Sequence, residues 1–215
     1  MSNQDPPGHS GRPGAEGAWD ATLSRHRSRN RERIAATAME LIGKHGLAHV
    51  SMSSLAERAG VSRATLYHYF PDLDHVLLAW VELQVDRFVS RVELLAGAEP
   101  DPRARLTLII AQLTDYFASR DHRLGLEQLG TLAVAPVTAR AVAERMSPLM
   151  ELVSDCLRTG QKMGQFRPEL DPEVHASLIL GLLGAMRPHL VSGRYAPGGA
   201  ARAVSSLVLE GVTRR

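Results

Sequence analysis

Residues 63–70 combine five side chains that could make polar or methyl contacts from one side of a helix. At about 100° per residue, Leu66, Tyr69 and Phe70 cluster on one helix face. The opposite face carries a guanidinium, a methyl group, a hydroxyl, a phenol and an imidazole, from Arg63, Ala64, Thr65, Tyr67 and His68. Such groups can contact base edges and phosphates. An ordinary surface helix can carry the same mixture, so the flanking residues decide between the two interpretations.

The elements that would position this face are two short helices, each opened by a serine. Ser51 and Ser62 can each accept a hydrogen bond from the unpaired amides of the helical turn that follows. Gly60 lies between them and can adopt the left-handed conformation that ends one helix and turns the chain into the next. This arrangement of two capping serines and a glycine predicts a helix-turn-helix, which places its second helix in the major groove of DNA.

The chain resembles the tetracycline-repressor (TetR) family in two runs of residues. The first is Leu55-Ala56-x-x-Ala59-Gly60-Val61-Ser62-x-x-Thr65-Leu66-Tyr67-x-Tyr69-Phe70, which is similar to that family's DNA-binding signature. The second is Arg33-Ile34-x-x-x-Ala38-x-x-Leu41-Ile42-x-x-x-Gly46, which is similar to its first helix and the following glycine. Ala64 and Leu73 depart from the family pattern, which usually has glycine and a phosphate-binding lysine there. The resemblance covers residues 29 to 80 and implies a DNA-binding head.

Roles for individual side chains follow from the outward face and the resemblance. Arg63, Ala64 and His68 are predicted to read bases, with help from Ser53 on the preceding helix. The methyl group of Ala64 could meet thymine. Contacts to the phosphate backbone are predicted for Ser51, Thr65, Tyr67, Tyr69 and Arg33. Without the lysine at Leu73, one expected backbone contact is lost, which predicts either weaker binding or a shift of that contact to the N-terminal arginines.

The charge is concentrated in the head. Between Arg25 and Phe70, eight basic residues stand against three acidic ones, a net charge of +5. From Pro71 onward, sixteen basic residues stand against seventeen acidic ones. A basic head on a nearly neutral body favours a polyanionic partner, because attraction to phosphates supplies most non-specific affinity for DNA.

The N-terminal segment is predicted to be a disordered tail over residues 1–24, since it is rich in Gly, Pro and Ser. Residues 24–33 alternate arginine, including Arg31 and Arg33, with small or polar residues. They form either an arm that follows the DNA backbone or enters a narrow minor groove, or a tail that adds only non-specific attraction. Asn30 is the expected cap of the first helix. The predicted domains are a head with its arm over 25–72 and an effector-binding and dimerisation domain over 73–215.

The composition favours an all-α protein. Of the 215 residues, 44% are hydrophobic and only 5% are aromatic, and no strand-like alternation is sustained. No run of about eighteen apolar residues predicts a membrane span. The single cysteine, Cys156, excludes an intramolecular disulfide and fits a reducing cytoplasm. No catalytic motif or metal-ligand spacing is present, so neither an enzyme nor a cofactor or metal site is expected.

Helical spacing continues through the body. Asp72 is expected to cap a fourth helix that ends near Ala96, and Pro188 to kink or end the eighth. The remaining helices are expected over residues 102–119, 124–135 and 136–163, after Asp171-Pro172 and after Gly198-Gly199.

The resemblance implies an effector pocket enclosed by the fourth to eighth helices and a dimer formed by the eighth and ninth. Pocket candidates are Tyr116, Phe117, Leu126, Gln128, Met146, Met150 and Met186, because flexible methionines with a few polar groups suit a bulky ligand. Few charges lie on these faces, which favours a neutral or lipophilic ligand with His122 and Glu127 as polar anchors. Dimer candidates are Ser177, Gly181, Gly184, Val204, Val208 and Gly211. Both sets could instead serve packing within one subunit.

These patterns predict a homodimeric, ligand-responsive repressor that binds a palindromic operator in double-stranded DNA. One alternative is a DNA-binding regulator without a small-molecule effector, controlled by a protein partner or by its own concentration. The other is an all-α enzyme that has kept the head as a relic.

Overall fold

The computed structural model describes residues 14–129 and 135–213, with side chains described for residues 25–125 and 140–213. This part of the chain is all-α, as the composition predicts. Its helices are α1 (Gly14–His45), α2 (Met52–Ala59), α3 (Arg63–Tyr69), α4 (Leu73–Ala98), α5 (Pro102–Ala118), α6 (Arg120–Leu129), α7 (Ala135–Lys162), α8 (Pro172–Val191) and α9 (Pro197–Val212). A single turn of 3-10 helix, Leu47–His49, follows α1. Within the described ranges, β pairing is limited to an isolated bridge between Phe166 and Thr213.

Most helices begin where the sequence predicts, because a side chain satisfies amides of the first turn. Ser51 and Ser62 cap α2 and α3. Gly60 between them is left-handed, with a φ of 65°. Aspartates cap three of the longer helices, namely Asp72 on α4, Asp101 on α5 and Asp171 on α8. The predicted helix-turn-helix is therefore present.

The head is a small core closed by α1, α2, α3 and the start of α4. Ile34 and Ala38 of α1 are fully buried there, together with Leu55 of α2. Leu66 and Phe70 are also fully buried, which places the predicted inner face of α3 against this core. Burial of these side chains decides which face of α3 is left to solvent.

The first helix begins well before its predicted cap. α1 starts at Gly14 and Asn30 lies inside it, so residues 14–24, predicted to be disordered, are helical. Residues 1–13 lie outside the described part. No proline occurs between Gly14 and Phe70, and the alanines, leucine and arginines upstream of Asn30 favour continuation of a helix. α1 also packs along α4.

Other helices begin within four residues of the sequence expectation, whereas α6 ends at Leu129 and not near Ala135. Gly97 lies inside α4, and Gly198 lies in the first turn of α9. α6 begins at Arg120, since the hydroxyl of Ser119 accepts a hydrogen bond from the His122 amide at 3.1 Å. Pro188 lies inside α8, which continues to Val191. Because Pro188 lies within the last turn of α8, its missing amide removes a backbone hydrogen bond only at the end of the helix.

The body is organised around α4 and α5. α4 leaves the head and packs against α1, α5, α6 and α7, while α5 packs against α7, α8 and α9. Val81, Val85 and Val92, which follow one another at helical spacing along α4, are buried. α8 is the one helix in the described residues that is long and apolar enough to cross a bilayer by length and composition. Core helices of water-soluble proteins can share those two properties, so they are weak evidence for a membrane span.

Candidate nucleic-acid interface

The outer face of α3 meets solvent as one continuous surface. Arg63, Ala64, Thr65 and His68 are exposed, and Tyr67 is 55% exposed. Leu66, on the opposite side of the same helix, is fully buried. The structure thus brings the predicted base-reading side chains of α3 together on one face. Ser53 of α2, the predicted helper, is half-buried.

Hydroxyl groups at the starts of α2 and α3 are already engaged in capping. The Thr65 amide donates to Ser62 Oγ at 3.0 Å, and the two hydroxyl oxygens lie 2.8 Å apart. Ser51 and Ser54 make a reciprocal capping box, with amide-to-hydroxyl distances of 3.0 and 3.1 Å. A phosphate bound by Ser51 would therefore share the hydroxyl that caps α2. A phosphate bound by Thr65 would share a hydroxyl that contacts Ser62, the cap of α3.

Side chains of α1 hold the helix-turn-helix in place. Arg33 donates from Nη1 to the carbonyl oxygen of Ala59 at 2.6 Å, at the end of α2. Asn30 donates to the Tyr69 hydroxyl at 3.4 Å. The guanidinium of Arg31 lies over the Phe70 ring, 5.0 Å from its centroid. From sequence, Arg31 and Arg33 are assigned only to contact with DNA, and these internal roles are missed, because partners distant in sequence leave no local signal.

The basic segment before these residues is helical. Arg27 and Arg29 lie on the N-terminal half of α1 and are exposed. Because α1 is continuous, this segment cannot enter a narrow minor groove as an extended strand. Its arginines can still face the phosphate backbone from the side of a helix.

Three comparisons with known proteins identify this architecture. The family described as "Bacterial regulatory proteins, tetR family" matches residues 34–79. The HTH-type transcriptional repressor KstR of Rhodococcus jostii (strain RHA1) is 31% identical over 132 residues, which are 61% of this chain and 61% of KstR. The nucleoid occlusion factor SlmA of Escherichia coli O1:K1 / APEC is 31% identical over 173 residues, which are 79% of this chain and 86% of SlmA. The chain belongs to the TetR family.

A solved structure extends the likeness to the whole fold. The transcriptional regulator FadR from Bacillus subtilis, solved in complex with stearoyl-CoA, superposes with a TM-score of 0.66. The match covers 83% of this chain and 97% of that one at 20% identity, a level that shows the fold alone. With the family profile and the relatives above, it confirms the predicted all-α fold and the predicted family. This TetR-family protein is a DNA-binding transcriptional regulator.

Ion pairs join the TetR head to its body along α4. Arg145 of α7 bridges two α4 carboxylates, with Nη2 at 3.2 Å from Glu82 and Nη1 at 2.5 Å from Asp86. Next to Asp86 along α4, Arg87 pairs with Glu32 of α1 at 3.3 Å. α4 therefore makes ion pairs with α1 of the head and with α7 of the body.

The predicted effector residues divide into three groups. Tyr116 is half-buried and stacks on Phe88 of α4, with ring centroids 4.1 Å apart and planes inclined by 16°. Phe117 is 6% exposed, whereas Met146, Met150 and Met186 are half-buried against the core. The side chains of three further residues lie outside the described part of the structure, namely Leu126, Glu127 and Gln128.

An open groove lies beside the Phe88–Tyr116 stack. It runs between α4 and α5, has a volume of about 290 Å³, and is called the α4–α5 groove below. Arg91 of α4 and Asp115 of α5 stand on its two walls, with Asp121 at the end nearest α6. The groove is therefore lined by charged side chains of both signs, whereas the sequence predicts few charges around the ligand.

The second predicted anchor, His122, lies behind Tyr116. Its ring centroid is 4.8 Å from that of Tyr116 and 5.3 Å from that of Phe117. Burial, together with the positive charge of Arg187, lowers the pKa of His122 to about 4. Burial and the negative charge of Asp121 raise the pKa of Tyr116 to about 12. Both side chains are consequently neutral at physiological pH.

The predicted dimer residues do not all face the same way. Ser177, Gly181, Gly184 and Gly211 are exposed. Val204 and Val208 are only 5% and 7% exposed, so most of each side chain packs within the subunit, although Val208 also lines a groove between α8 and α9. They face inward because α9 packs on α5.

Exposed apolar side chains take the outward positions instead. Leu178 of α8 is 63% exposed and Leu207 of α9 is 61% exposed. Together with Leu182 they border a surface groove of about 270 Å³ between the two helices.

Cys156 has the features of a core residue. It is fully buried, its Sγ donates to the carbonyl oxygen of Pro102 at 3.2 Å, and burial raises its pKa to about 11. The thiol is therefore protonated near neutral pH, which disfavours reactivity as a thiolate.

Proposed function

We propose that this TetR-family regulator is a homodimeric, ligand-responsive repressor of a roughly palindromic operator. The observation that carries the proposal is the exposed outer face of α3, where Arg63, Tyr67 and His68 stand free of the head's core. A recognition helix of this kind reads base edges in the major groove. Repression accords with the name of KstR, a transcriptional repressor.

Dimerisation is supported by the outer face of α8 and α9. Only 22% of the most apolar window of α8 is buried within the subunit, and Leu178 and Leu207 are largely exposed. A contiguous apolar surface of this kind marks a contact with another protein. Nothing within 4 Å would meet a Cβ at Gly181, Gly184 or Gly211, so a second copy can approach these positions closely. Two-fold pairing would set two α3 helices against successive turns of DNA.

A ligand response is supported by the body region around Tyr116. The α4–α5 groove lies beside aromatic side chains and near the buried His122, and α4 connects this region to the head through the Arg87–Glu32 pair. FadR of Bacillus subtilis, which shares the fold, was solved with stearoyl-CoA. A ligand that favours one position of α4 would change the affinity of the heads for DNA by its difference in affinity for the two states.

A second candidate function is regulation without a small-molecule effector. It is favoured by the match to SlmA, a nucleoid occlusion factor, which covers more of this chain than the match to KstR. On that interpretation a protein partner or the concentration of the chain itself sets DNA occupancy.

The test is binding of the purified chain to the DNA upstream of its own gene, measured by fluorescence anisotropy and sedimentation. A homodimeric repressor should bind one palindromic segment with two subunits per site, and its binding there should lower transcription in vitro. Release of that DNA by a lipophilic small molecule would support the ligand response. Monomeric binding, or activation of transcription, would contradict the proposal.

A further inference from the structure

His122 contains a buried nitrogen that the fold leaves unpaired. Its Nε2 atom is shielded from solvent and has no hydrogen-bond partner among the described residues. The ring is instead in contact with the aromatic rings of Tyr116 and Phe117. An unpaired buried polar atom is destabilising, and such atoms in folded proteins call for an explanation. A ligand group that completes the hydrogen bond provides one.

Tyr116 separates this nitrogen from the α4–α5 groove, which His122 itself does not line. Tyr116 lines that groove on one side and contacts His122 with its ring. Its ring also stacks on Phe88 and contacts Phe117. Because Tyr116 adjoins both the groove and the imidazole, a change of its rotamer would connect the groove with Nε2.

We propose that His122 Nε2 anchors an uncharged effector that carries a hydroxyl group, while Phe88, Tyr116 and Phe117 surround its apolar part. The inference rests on the ligand response proposed above and names the ligand's chemistry. A hydroxyl both donates and accepts, so it pairs with Nε2 in either tautomer of the neutral imidazole. A carbonyl group pairs only with the N–H form, and an ammonium group only with the lone pair.

Burial around Nε2 disfavours an ionic ligand there, because it opposes any charge that is left unpaired. Arg187 acts on His122 and Asp121 acts on Tyr116 with opposite charges, so the two together favour neither an anion nor a cation. The charged side chains of the groove, Arg91 and Asp115 among them, likewise include both signs.

The first test uses three eight-carbon probes that differ in charge, namely octan-1-ol, octanoate and octylammonium. Each is titrated by calorimetry into the full chain without DNA. Octan-1-ol should bind most tightly, and His122→Phe should weaken its binding by about tenfold, the value of one good hydrogen bond. His122→Gln should keep most of the affinity, because an amide can also pair with a hydroxyl. His45→Phe, at the exposed end of α1, is the matched control and should bind octan-1-ol as the wild type does.

The second test is thermal unfolding without a ligand. His122→Phe removes the unpaired nitrogen and keeps an aromatic ring, so it should unfold at a higher temperature than the wild type. A merely structural histidine would instead lose stability on replacement. Equal affinity of His122→Phe and wild type for octan-1-ol, no binding of octan-1-ol, or equal binding of octylammonium would each overturn the assignment. If octan-1-ol binds through His122 and leaves operator affinity unchanged, the site stands and the proposed ligand response fails.

Discussion

Arg63 is the side chain whose removal best tests whether α3 reads sequence. It is exposed at the start of the recognition helix. Arg63→Ala should cost about 1–3 kcal/mol at one base position and relax specificity there. Tyr67→Phe should weaken binding to all sequences alike, because a phenol that holds a phosphate carries no sequence information.

The measurement is anisotropy with an operator and its single-base variants, beside random DNA of equal length. Arg58→Ala, on the exposed surface of α2, provides the matched removal of one positive charge. Equal reductions in affinity for operator and random DNA with Arg63→Ala would remove Arg63 from the base-reading set.

His122 should make stability depend on pH. Burial and Arg187 lower the pKa of this imidazole from 6.5 to about 4 in the fold. As pH falls through 6.5, the unfolded chain binds a proton there that the folded chain does not, so the free energy of unfolding decreases towards pH 4. The contribution of the neutral imidazole is fully present above pH 6.5.

Urea unfolding midpoints measured across this pH range should fall less steeply for His122→Phe than for the wild type. His175→Phe is the control, because it removes the imidazole of a histidine in α8 and leaves His122 in place. Indistinguishable profiles for wild type and His122→Phe would mean that the folded imidazole is protonated as readily as the unfolded one.

The N-terminal half of α1 is an element whose role can be tested by charge. Arg27 and Arg29 are exposed and lie ahead of the residues that hold the helix-turn-helix. Arg27→Gln with Arg29→Gln should flatten the plot of log K against log salt by about 0.9 for each phosphate that is no longer neutralised. Deleting residues 1–33 would be a poorer test, because it also removes Asn30, Arg31 and Arg33.

The control for this pair is Arg103→Gln with Arg120→Gln, two exposed arginines of the body. It should leave the salt slope unchanged. If the α1 pair also leaves the slope unchanged, the helical extension does not touch DNA.

Helix starts could be predicted from sequence where their cause is local. Ser51, Ser62 and Asp171 each cap a helix through an amide only two or three residues away, so the signal lies within one turn of the chain. The inner and outer faces of α3 follow from its helical period in the same way. The recognition face was therefore predictable from the residues alone.

Features that depend on distant partners could not be predicted. The start of α1 was misjudged for a local reason, because residues 14–24 still contain two glycines and follow directly on a Gly- and Pro-rich segment. Val204 and Val208 share an apolar stripe with outward neighbours, and only the packing of α9 on α5 decides which face is buried. The Nε2 atom of His122 is left unpaired where the ring packs against Tyr116 and Phe117 of α5, a contact between two helices that no local pattern reports.

On the scale of the whole molecule, the outer face of α8 and α9 determines whether two heads act together. Gly181 is exposed with open space around its Cα, so Gly181→Leu leaves the subunit intact and obstructs close approach of a second copy. The variant should sediment as a monomer. Its operator affinity should fall by roughly 10²-fold or more, because the second head no longer binds as a tethered group.

Gly97→Leu is the matched control, since Gly97 is also exposed in a helix with open space around it. It should remain dimeric and bind the operator as the wild type does. A dimeric Gly181→Leu variant would place the subunit contact elsewhere. A monomeric wild type would exclude an operator bound by the two heads of one dimer.

The length of α4 has a geometric consequence. Its 26 residues form one uninterrupted helix from the head to the far side of the body. At about 1.5 Å per residue this is a rod of about 39 Å, so a tilt of about 10° at the body end displaces the head end by roughly 7 Å. In a pair related by a two-fold axis the two displacements would act in opposite directions. An angular change small enough to be absorbed by a few side chains would then shift the two recognition helices out of phase with the helical repeat of DNA.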